Sequence, residues 1–421
     1  MDMQKYKKVL VLAVGGGNDS VSTVLLQMQL SKSFGYRPDH IDIVAMLPDC
    51  LIYSQMIQTP HERVFEITEH SQRKVGDKVI SAFPERILSA NKTRFPELNI
   101  KNIFGISMDQ GSVGLEKSLT QLLQNEYDLI LAVDVGGDFI AHPENKEVLS
   151  PLMDGYMLYA LQQIQKNTSI TNKPEIVFCV FGLGTDGESS PQMLTKALSL
   201  LPDVVEHTFN QEDVQPVIDF YREVVEPNRY SRTTDYTIKE ITGEGHENPS
   251  LFRGRFHVQP HPREASKVYY GNFMHKQDSQ FYGKFYLFKD ISLMQNPYAF
   301  ACKNGVDWVL RVQSCKEKIN HELNGQTYSD LGKVLGVPSL NGKSLFFATP
   351  SHKFNAEQIS EIIDLTVCAI RFDVYDSAIV YNCELNHKFR NIHKLDLQNG
   401  LSLISMDKDL LENFKSYLEN N

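Results

Sequence analysis

Short apolar runs recur along the first half of the chain, and stretches with helical spacing separate most of them. The runs cover residues 8–14, 41–47, 102–106, 127–133 and 175–181. Each has the length and composition of a buried strand. Continuous apolar strands that alternate with helices indicate a parallel sheet covered on both faces. We therefore expect an α/β protein with a doubly wound, mostly parallel sheet, arranged as a Rossmann-like three-layer sandwich.

The pattern changes after about residue 205. Helical spacing continues over residues 213–225 and again over 296–324, a polar loop is expected over 226–236, and short strands and turns over 236–290. We expect three regions: an α/β core over residues 1–205, a continuation that completes this core over residues 206–330, and a small α+β region over residues 331–421.

The stretch from residue 131 to residue 154 is the most informative part of the sequence. Its apolar run breaks at Asp134, followed by two glycines and Asp138. Glycines let the backbone turn and approach a neighbour closely. The Ser-Pro pair at residues 150–151 predicts the start of a helix. Asp154 then falls in the first turn of that helix, where its carboxylate can return to the loop.

Other predicted strands end in similar loops. The first strand leads into residues 15–20, which precede a helix whose N-terminus favours anions. The fifth strand leads into residues 182–188, and Asp109 follows the third strand. Because ligands bind outside the carboxyl ends of parallel strands, we predict that the loops around 15–20, 134–138 and 182–188 converge on one crevice.

The acidic residues of these loops indicate a cation. Two carboxylates about 4 Å apart repel by roughly 4 kcal/mol at an effective dielectric near 20, so a cluster needs a cation, a shared proton or a basic partner. Asp134 and Asp138 are candidate ligands of Mg²⁺, which prefers oxygen ligands and commonly brings substrate phosphates with it. Asp154, Asp186 and Glu188 are the candidate catalytic residues, which would activate water or a substrate hydroxyl.

A second set of residues is predicted to bind phosphate through backbone N–H groups, hydroxyls and a guanidinium clamp. These candidates are Gly15, Gly16, Gly17, Asn18, Asp19, Ser20, Gly136, Gly137, Gly184, Arg229 and Arg232. Glycine and aspartate are also ordinary turn residues, so turn chemistry alone stays open as the alternative for several of them.

The loop at residues 15–20 matches five of the six positions of the SGGxDS loop of ATP pyrophosphatases, with Gly15 in place of the serine. A phosphate-binding turn of no particular family explains the same residues equally well. A dinucleotide fingerprint fits worse, because no third glycine is correctly spaced after Gly17.

Composition narrows the function classes. The chain of 421 residues has 42 basic and 52 acidic residues and a net charge of −10, which argues against a nucleic-acid surface. Cys179 lies inside an apolar run, which predicts a buried, reduced thiol rather than a nucleophile. His142, His257 and His261 are scattered, as core or surface histidines are.

We find no signal peptide and no apolar run of membrane-spanning length, so we expect a cytoplasmic protein without a membrane partner. Export by a non-classical route would leave the same pattern, and the sequence leaves a homo-oligomer open.

Three motifs resemble an uncharacterised family known as domain of unknown function 1152. They are Val133–Asp138, Ser150–Asp154 and Val180–Glu188, and the loop at residues 15–19 is similar to that family's GGGGD-like opening, with Asn18 in place of a glycine. A looser similarity lies at residues 228–232. The resemblance covers about residues 6–325 and implies the fold and the site, but no settled activity.

The leading hypothesis is an enzyme that binds a nucleotide or another phosphorylated metabolite at the carboxyl edge of the sheet, with Mg²⁺, and catalyses hydrolysis or group transfer. Paired carboxylates can also act without a metal, as in glycoside hydrolysis. An AMP-forming transferase of the ATP pyrophosphatase type is a second hypothesis. A non-catalytic nucleotide sensor or scaffold, with residues 332–421 as the partner-binding part, is a third.

Overall fold

The structure, a computed structural model, describes most of the first 244 residues and short segments beyond them. The described residues are 4–15, 19–47, 53–75, 78–107, 111–142, 152–167, 170, 172–187, 189–228, 232–244, 277–292, 294, 347–350, 393–396, 401–405 and 412. The chain divides into two compact units. The first is formed by Met1–Glu247 and His275–Lys303, and the second by Asn248–Met274 and Asn304–Asn421.

The strands of the first unit alternate with its helices except over residues 53–80, where five short strands follow β2 without a helix between them. The strands are β1 (Lys8–Ala13), β2 (His40–Leu47), β3 (Tyr53–Ser54), β4 (Ile57–Gln58), β5 (Val64–Glu66), β6 (Gln72–Val75), β7 (Lys78–Ile80), β8 (Ile100–Ser107), β9 (Leu129–Val135), β10 (Glu175–Phe181), β11 (Val205–Thr208) and β12 (Lys284–Phe288). In the second unit, β13 (Phe347–Pro350), β14 (His393–Asp396) and β15 (Leu401–Ser405) form an antiparallel sheet in the order β13-β15-β14.

The α-helices are α1 (Asp19–Phe34), α2 (Pro84–Asn91), α3 (Gly111–Leu122), α4 (Leu152–Lys166), α5 (Pro191–Ser199), α6 (Gln211–Phe220) and α7 (Arg232–Thr242). A π-helical turn, Tyr221–Val225, continues α6. Single 3₁₀ turns lie at Lys92–Arg94, Pro96–Leu98, Leu123–Asn125 and Ser279–Phe281. Within the described ranges, none of the helices has both the length and the apolar character that crossing a membrane requires.

A large mixed sheet forms the centre of the first unit, which confirms the predicted α/β class. Its strand order is β11-β12-β10-β9-β1-β2-β8-β5-β4. The five strands from β10 to β8 are parallel to one another. The strands outside them are antiparallel to their neighbours. The predicted apolar runs are the five parallel strands. The antiparallel strand β12 lies in the region where short strands were predicted, and β4, β5 and β11 were not predicted.

The order of the parallel strands places β1 in the middle. From β1 the chain builds β2 and β8 on one side, and then returns to the other side for β9 and β10. In open α/β sheets, ligands bind at the carboxyl edge where the strand order reverses. That point lies between β1 and β9, where Ala13 pairs with Val133.

One face of the sheet packs against α1, α2 and α6. Leu131, Val133 and Val135 of β9 belong to this core together with Leu25 of α1 and Ile218 of α6. Because successive side chains of a strand point to opposite faces, Asp134 faces away from this core. This alternation directs a carboxylate to the other side of the sheet, next to the point of reversal.

The segment from 226 to 290 differs from its prediction. Residues Arg232–Thr242 form α7 where a loop and then short strands were expected. Threonine and isoleucine favour strands by their branched side chains, and this stretch is rich in both. Thr234, Thr237 and Ile238 are nonetheless each at most 2% exposed, so burial of one face of the helix overrides the local preference. The helix predicted over 296–324 lies outside the described residues.

A buried carboxylate at the opposite edge of the sheet gives a test of this packing. The Asp42 side chain is 3% exposed and accepts a hydrogen bond of 2.6 Å from the Tyr127 hydroxyl. We expect Tyr127→Phe to lower the free energy of unfolding by about 1–3 kcal/mol, because it removes a donor from a buried charge. Urea denaturation of the purified variant measures this change.

Tyr36→Phe is the matched control. The Tyr36 hydroxyl is also buried, but it has no hydrogen-bond partner among the described residues. Its removal should leave the free energy of unfolding unchanged or raise it slightly. Equal losses in the two variants would contradict the role given to the Tyr127 hydroxyl.

Candidate functional site

The loops that follow β1, β9 and β10 begin side by side at one edge of the sheet. The backbone N–H of Val14 donates to Val133 O at 2.9 Å, and the N–H of Gly136 donates to Phe181 O at 3.1 Å. The N–H of Gly184 donates to Gly136 O at 2.7 Å. The described parts of the three loops therefore converge, as the sequence predicted.

Five aspartates of these loops and of the helices beside them are buried. Asp19, Asp134, Asp138, Asp154 and Asp186 are each at most 8% exposed. A buried carboxylate is costly unless it is neutralised, hydrogen-bonded or paired with a cation. The convergence of the loops thus buries these five aspartates at the carboxyl edge of the sheet instead of leaving them in solvated turns. We call this region the acidic crevice.

The Asp19 and Asp154 carboxylates approach each other beside Gly15. A Cβ atom at Gly15 would lie 2.2 Å from Asp19 Oδ2 and 3.4 Å from Asp154 Oδ1. The two oxygens are therefore no farther apart than these two distances combined. Glycine is needed here because any side chain would displace Asp19, which explains why the serine of the ATP pyrophosphatase loop has no counterpart at this position.

Gly136 plays the same part on the other side of the crevice. A Cβ atom there would lie 2.5 Å from Asp186 Oδ2, and the backbone has a φ of +124°, which L side chains rarely adopt. The loop after β10 therefore carries Asp186 directly over the loop after β9. Absence of a side chain is what allows the two loops to touch.

Asp134 and Asp154 form a hydrogen-bonded carboxyl–carboxylate pair. Asp134 also receives the backbone N–H groups of its own loop, including that of Phe139 at 3.4 Å from Oδ2. Asp154 Oδ1, by contrast, accepts no hydrogen bond from the described residues. Asp154 therefore holds the shared proton and presents its second oxygen towards Gly15 and Asp19.

Two of these buried acids lie at the N-termini of helices. Asp19 and Asp154 lie in the first turns of α1 and α4, where the helix dipole favours negative charge. Glu85 occupies the same position in α2, is 7% exposed, and acts on Asp19 by charge repulsion. Sequence reasoning missed Glu85, because a Pro-Glu pair at a helix start is ordinary and nothing local indicates that it lies beside Asp19.

The protonation of the cluster follows from burial. Burial raises the pKa of Asp134 to about 6, although the hydrogen bond from Asp154 and the loop N–H groups oppose this rise. Burial, and then the charges of Asp134 and Asp19, hold the pKa of Asp154 well above its usual range. Burial and the nearby Asp134 and Glu85 do the same to the pKa of Asp19.

Basic side chains do not neutralise the centre of the cluster within the described part of the chain. No lysine, arginine or histidine described there forms an ion pair with Asp19, Asp134 or Asp154. The Ser20 hydroxyl, 1% exposed in the first turn of α1, has no hydrogen-bond partner among the same residues. Protons or a bound cation are therefore the remaining means of neutralising these three carboxylates.

The donor set suits a hard divalent cation, since it consists of carboxylate oxygens and includes the unpartnered Oδ1 of Asp154. Among the described residues, however, no group of three or more histidines, cysteines and acids is arranged to hold a metal ion. Mg²⁺ is commonly held by one or two carboxylates and completed by substrate phosphates and water. The residues therefore fit Mg²⁺ that arrives with its ligand better than a resident metal ion.

Three predicted phosphate-binding glycines use their backbone N–H groups inside the protein. The N–H of Gly136 and that of Gly184 bond to carbonyl groups of neighbouring loops, and the N–H of Gly137 faces Asp134. These glycines shape the loops and do not offer free N–H groups to a ligand.

Several predicted site residues lie outside the described residues. They are Gly16, Gly17, Asn18, Asp109, Glu188, Arg229, His257 and His261, and the Arg232 side chain also belongs to this group. Cys179 is described and is a buried free thiol, and burial raises its pKa well above the usual range. The predicted burial of this cysteine is thus confirmed.

The raised pKa values predict how the apoprotein responds to pH. The folded chain holds protons on Asp134 and Asp154 that the unfolded chain loses above about pH 4, so this stabilisation disappears as the pH rises through the folded values. For Asp134, whose pKa is raised to about 6, the loss is roughly 3 kcal/mol. In buffer with EDTA, Asp154→Asn should therefore gain stability over the wild type as the pH rises from 5 to 8.

Urea denaturation at each pH measures the two stability curves. The asparagine keeps the shape of Asp154 but cannot acquire a second charge beside Asp134. Parallel curves for the wild type and the variant would contradict the shared proton.

Comparison with known proteins gives one match. No curated protein and no solved structure matches the chain. A family model described as "Protein of unknown function (DUF1152)" matches residues 57–225. This span is narrower than the predicted resemblance; it includes the loops after β9 and β10 but not the loop after β1. The matched part of the chain carries Asp134, Asp138, Asp154 and Asp186, and the match bears out the predicted resemblance to this family over residues 57–225.

Proposed function

We propose that this protein is an enzyme that binds a nucleotide or another phosphorylated small molecule together with Mg²⁺ at the carboxyl edge of the sheet, and hydrolyses it or transfers a group from it. The observation that carries the proposal is the cluster of Asp19, Asp134 and Asp154, buried where the strand order reverses and without a basic partner among the described residues. The same strand order supports a Rossmann-like three-layer arrangement.

The charge of the crevice determines what it can bind. A phosphate placed about 4 Å from a buried carboxylate is repelled by roughly 4 kcal/mol at an effective dielectric near 20. The N-terminus of α1, which would attract a phosphate, already has the Asp19 carboxylate, which accepts the N–H of Gly15. An anionic ligand therefore requires a cation between itself and these acids.

We assign the roles accordingly. Two of the three carboxylates of Asp134, Asp138 and Asp154 would hold Mg²⁺, which, when bound, would neutralise charge on the phosphate oxygens. The unpartnered Ser20 hydroxyl would donate to the ligand. Asp186 and Glu188 stay the predicted acid–base residues that would take a proton from water or from a substrate hydroxyl.

The hydrogen bond between Asp134 and Asp154 favours a second candidate, a metal-independent hydrolase. A pair that shares one proton has an acid and a base side by side, as in the aspartic proteases, whereas the carboxyl groups of glycoside hydrolases lie about 5 Å or more apart. Such an enzyme would hydrolyse a peptide in the presence of EDTA, whereas the leading proposal requires Mg²⁺.

The other hypotheses receive less support. The space at Gly15 is filled by Asp19, so the loop lacks room for the serine that the ATP pyrophosphatase motif contains. A non-catalytic sensor would bind a nucleotide tightly without turnover, and only an assay of turnover separates it from the enzyme.

The leading proposal predicts ligand binding that depends on the cation. Thermal-shift and calorimetric titrations with pyrophosphate, ADP and ribose 5-phosphate should show binding in Mg²⁺ and none in EDTA. A ligand at a hundred times its Kd should raise the free energy of unfolding by about 2.7 kcal/mol. Stabilisation of equal size in EDTA, or by none of these probes, would contradict the proposal.

Substitutions locate the site in the same titrations. We expect Asp138→Ala and Asp154→Asn to abolish Mg²⁺-dependent binding and turnover while the fold remains intact. Asp128→Asn is the matched control, because Asp128 is exposed and bonds to Lys7 and Lys8 at the opposite end of β9. Binding that survives Asp138→Ala would remove Asp138 from the site.

A further inference from the structure

Glycines with positive φ and internal hydrogen bonds define the conformation of the loop Gly182–Gly187, which we call the Asp186 loop. Gly182, Gly184 and Gly187 have φ values of +58°, +77° and +76°. The Thr185 hydroxyl donates to Gly182 O at 2.7 Å, and the N–H of Gly187 donates to Gly184 O at 3.0 Å. These bonds close the loop on itself, and the bond from Gly184 to Gly136 ties it to the rest of the acidic crevice.

Gln277 supplies a further attachment from a distant part of the chain. Its side chain is 8% exposed, and Nε2 donates to Leu183 O at 2.7 Å. The Gln277 Cγ atom lies 3.4 Å from the position that a Cβ of Gly184 would take. The Gln277 side chain therefore lies along the Asp186 loop and satisfies a buried carbonyl group in it.

Helix α7 bounds the Asp186 loop on another side. A Cβ atom at Gly182 would lie 2.3 Å from Thr237 Oγ1, while that hydroxyl donates to Thr233 O within the helix at 2.8 Å. The hydroxyl is thus fixed by its own helix and presses against the glycine. Another contact, between Ser22 and Thr234 at 2.9 Å, anchors the same end of α7 to α1.

Thr237 and Gln277, which both contact the Asp186 loop, lie on either side of residues 248–274, a segment that belongs to the second compact unit. The first compact unit is left after Glu247 and resumed at His275. Thr237 precedes the departure by ten residues, and Gln277 follows the return by two. The segments that leave and re-enter the first unit therefore both contact the Asp186 loop.

We propose that Gln277 is a positioning residue, which together with Thr237 holds the Asp186 loop so that Asp186 stays over Gly136 in the acidic crevice. Gln277 acts through Leu183 and does not need to touch the ligand. The effect on ligand binding rests on the proposed function, but the effect on the loop does not.

Hydrogen exchange of the amides in the Asp186 loop tests this proposal in the full-length protein. Gln277→Met keeps the length of the side chain and removes the donor to Leu183 O. Exchange in residues 182–187 should become roughly tenfold faster, as expected for the loss of one buried hydrogen bond. Gln277→Glu, whose carboxylate cannot donate a hydrogen bond, should accelerate exchange in the same residues. This variant replaces Gln277→Met in the experiment if the methionine variant does not fold.

Gln280→Met is the matched control. Gln280 lies on the same segment and is exposed, and its side-chain Nε2 donates to Asp278 Oδ2 at 3.2 Å. Its replacement should leave exchange in the Asp186 loop unchanged. Unchanged exchange in both Gln277 variants, or faster exchange spread evenly over the whole protein, would overturn the proposal.

A second readout connects the loop to the ligand. If the wild type binds Mg²⁺ with pyrophosphate, Gln277→Met should weaken that binding roughly tenfold, whereas Gln280→Met should leave it unchanged. If amide exchange in residues 182–187 becomes faster in Gln277→Met but the affinity for Mg²⁺ with pyrophosphate is unchanged, the part of the proposal that concerns the site is overturned. If the wild type binds no phosphorylated probe, the proposed function fails, and the exchange experiment still decides the role of Gln277.

Discussion

The site depends on the burial of several like charges at one edge of a sheet. Asp134 and Asp154 can lie in contact because Asp154 holds a proton and because loop N–H groups bond to Asp134. Two bare carboxylates at this distance in a water-poor environment would separate or draw in a cation. The same constraint explains why the residues around them are glycines: the acids need the space that side chains would fill.

Strand order converts this local constraint into a site. The chain leaves β1 in one direction and returns to its other side for β9 and β10, so three loops that are far apart in sequence start at one edge. Parallel strands end at the same level, as the pairing of Val180 with Asp134 illustrates. A crevice at the reversal is a general property of such sheets. What is particular to this chain is that Asp19, Asp134 and Asp154 neither face solvent nor pair with described basic residues.

Much of this arrangement could be predicted from sequence. The five apolar runs fixed the parallel strands, and the glycine-acid pattern after three of them predicted a common acidic crevice. The antiparallel strand β11, the antiparallel pairing of β12, the helix α7 and the contributions of Glu85 and Gln277 could not be predicted in this way. Val205 and Glu206 of β11 are exposed and give no apolar run, and α7 is rich in threonine. Gln277 reaches Leu183 over 94 residues, so its partner is determined by tertiary packing, which no local pattern records.

The central claim is that these carboxylates bind a phosphorylated ligand through a divalent cation. The most direct measurement is a crystal structure of the protein with Mn²⁺ and ADP, in which anomalous scattering locates the cation. The account predicts one strong peak in contact with Asp134 or Asp154 and with a phosphate oxygen. A nucleotide bound in this crevice without a peak, or a peak that lies away from both aspartates, would contradict it.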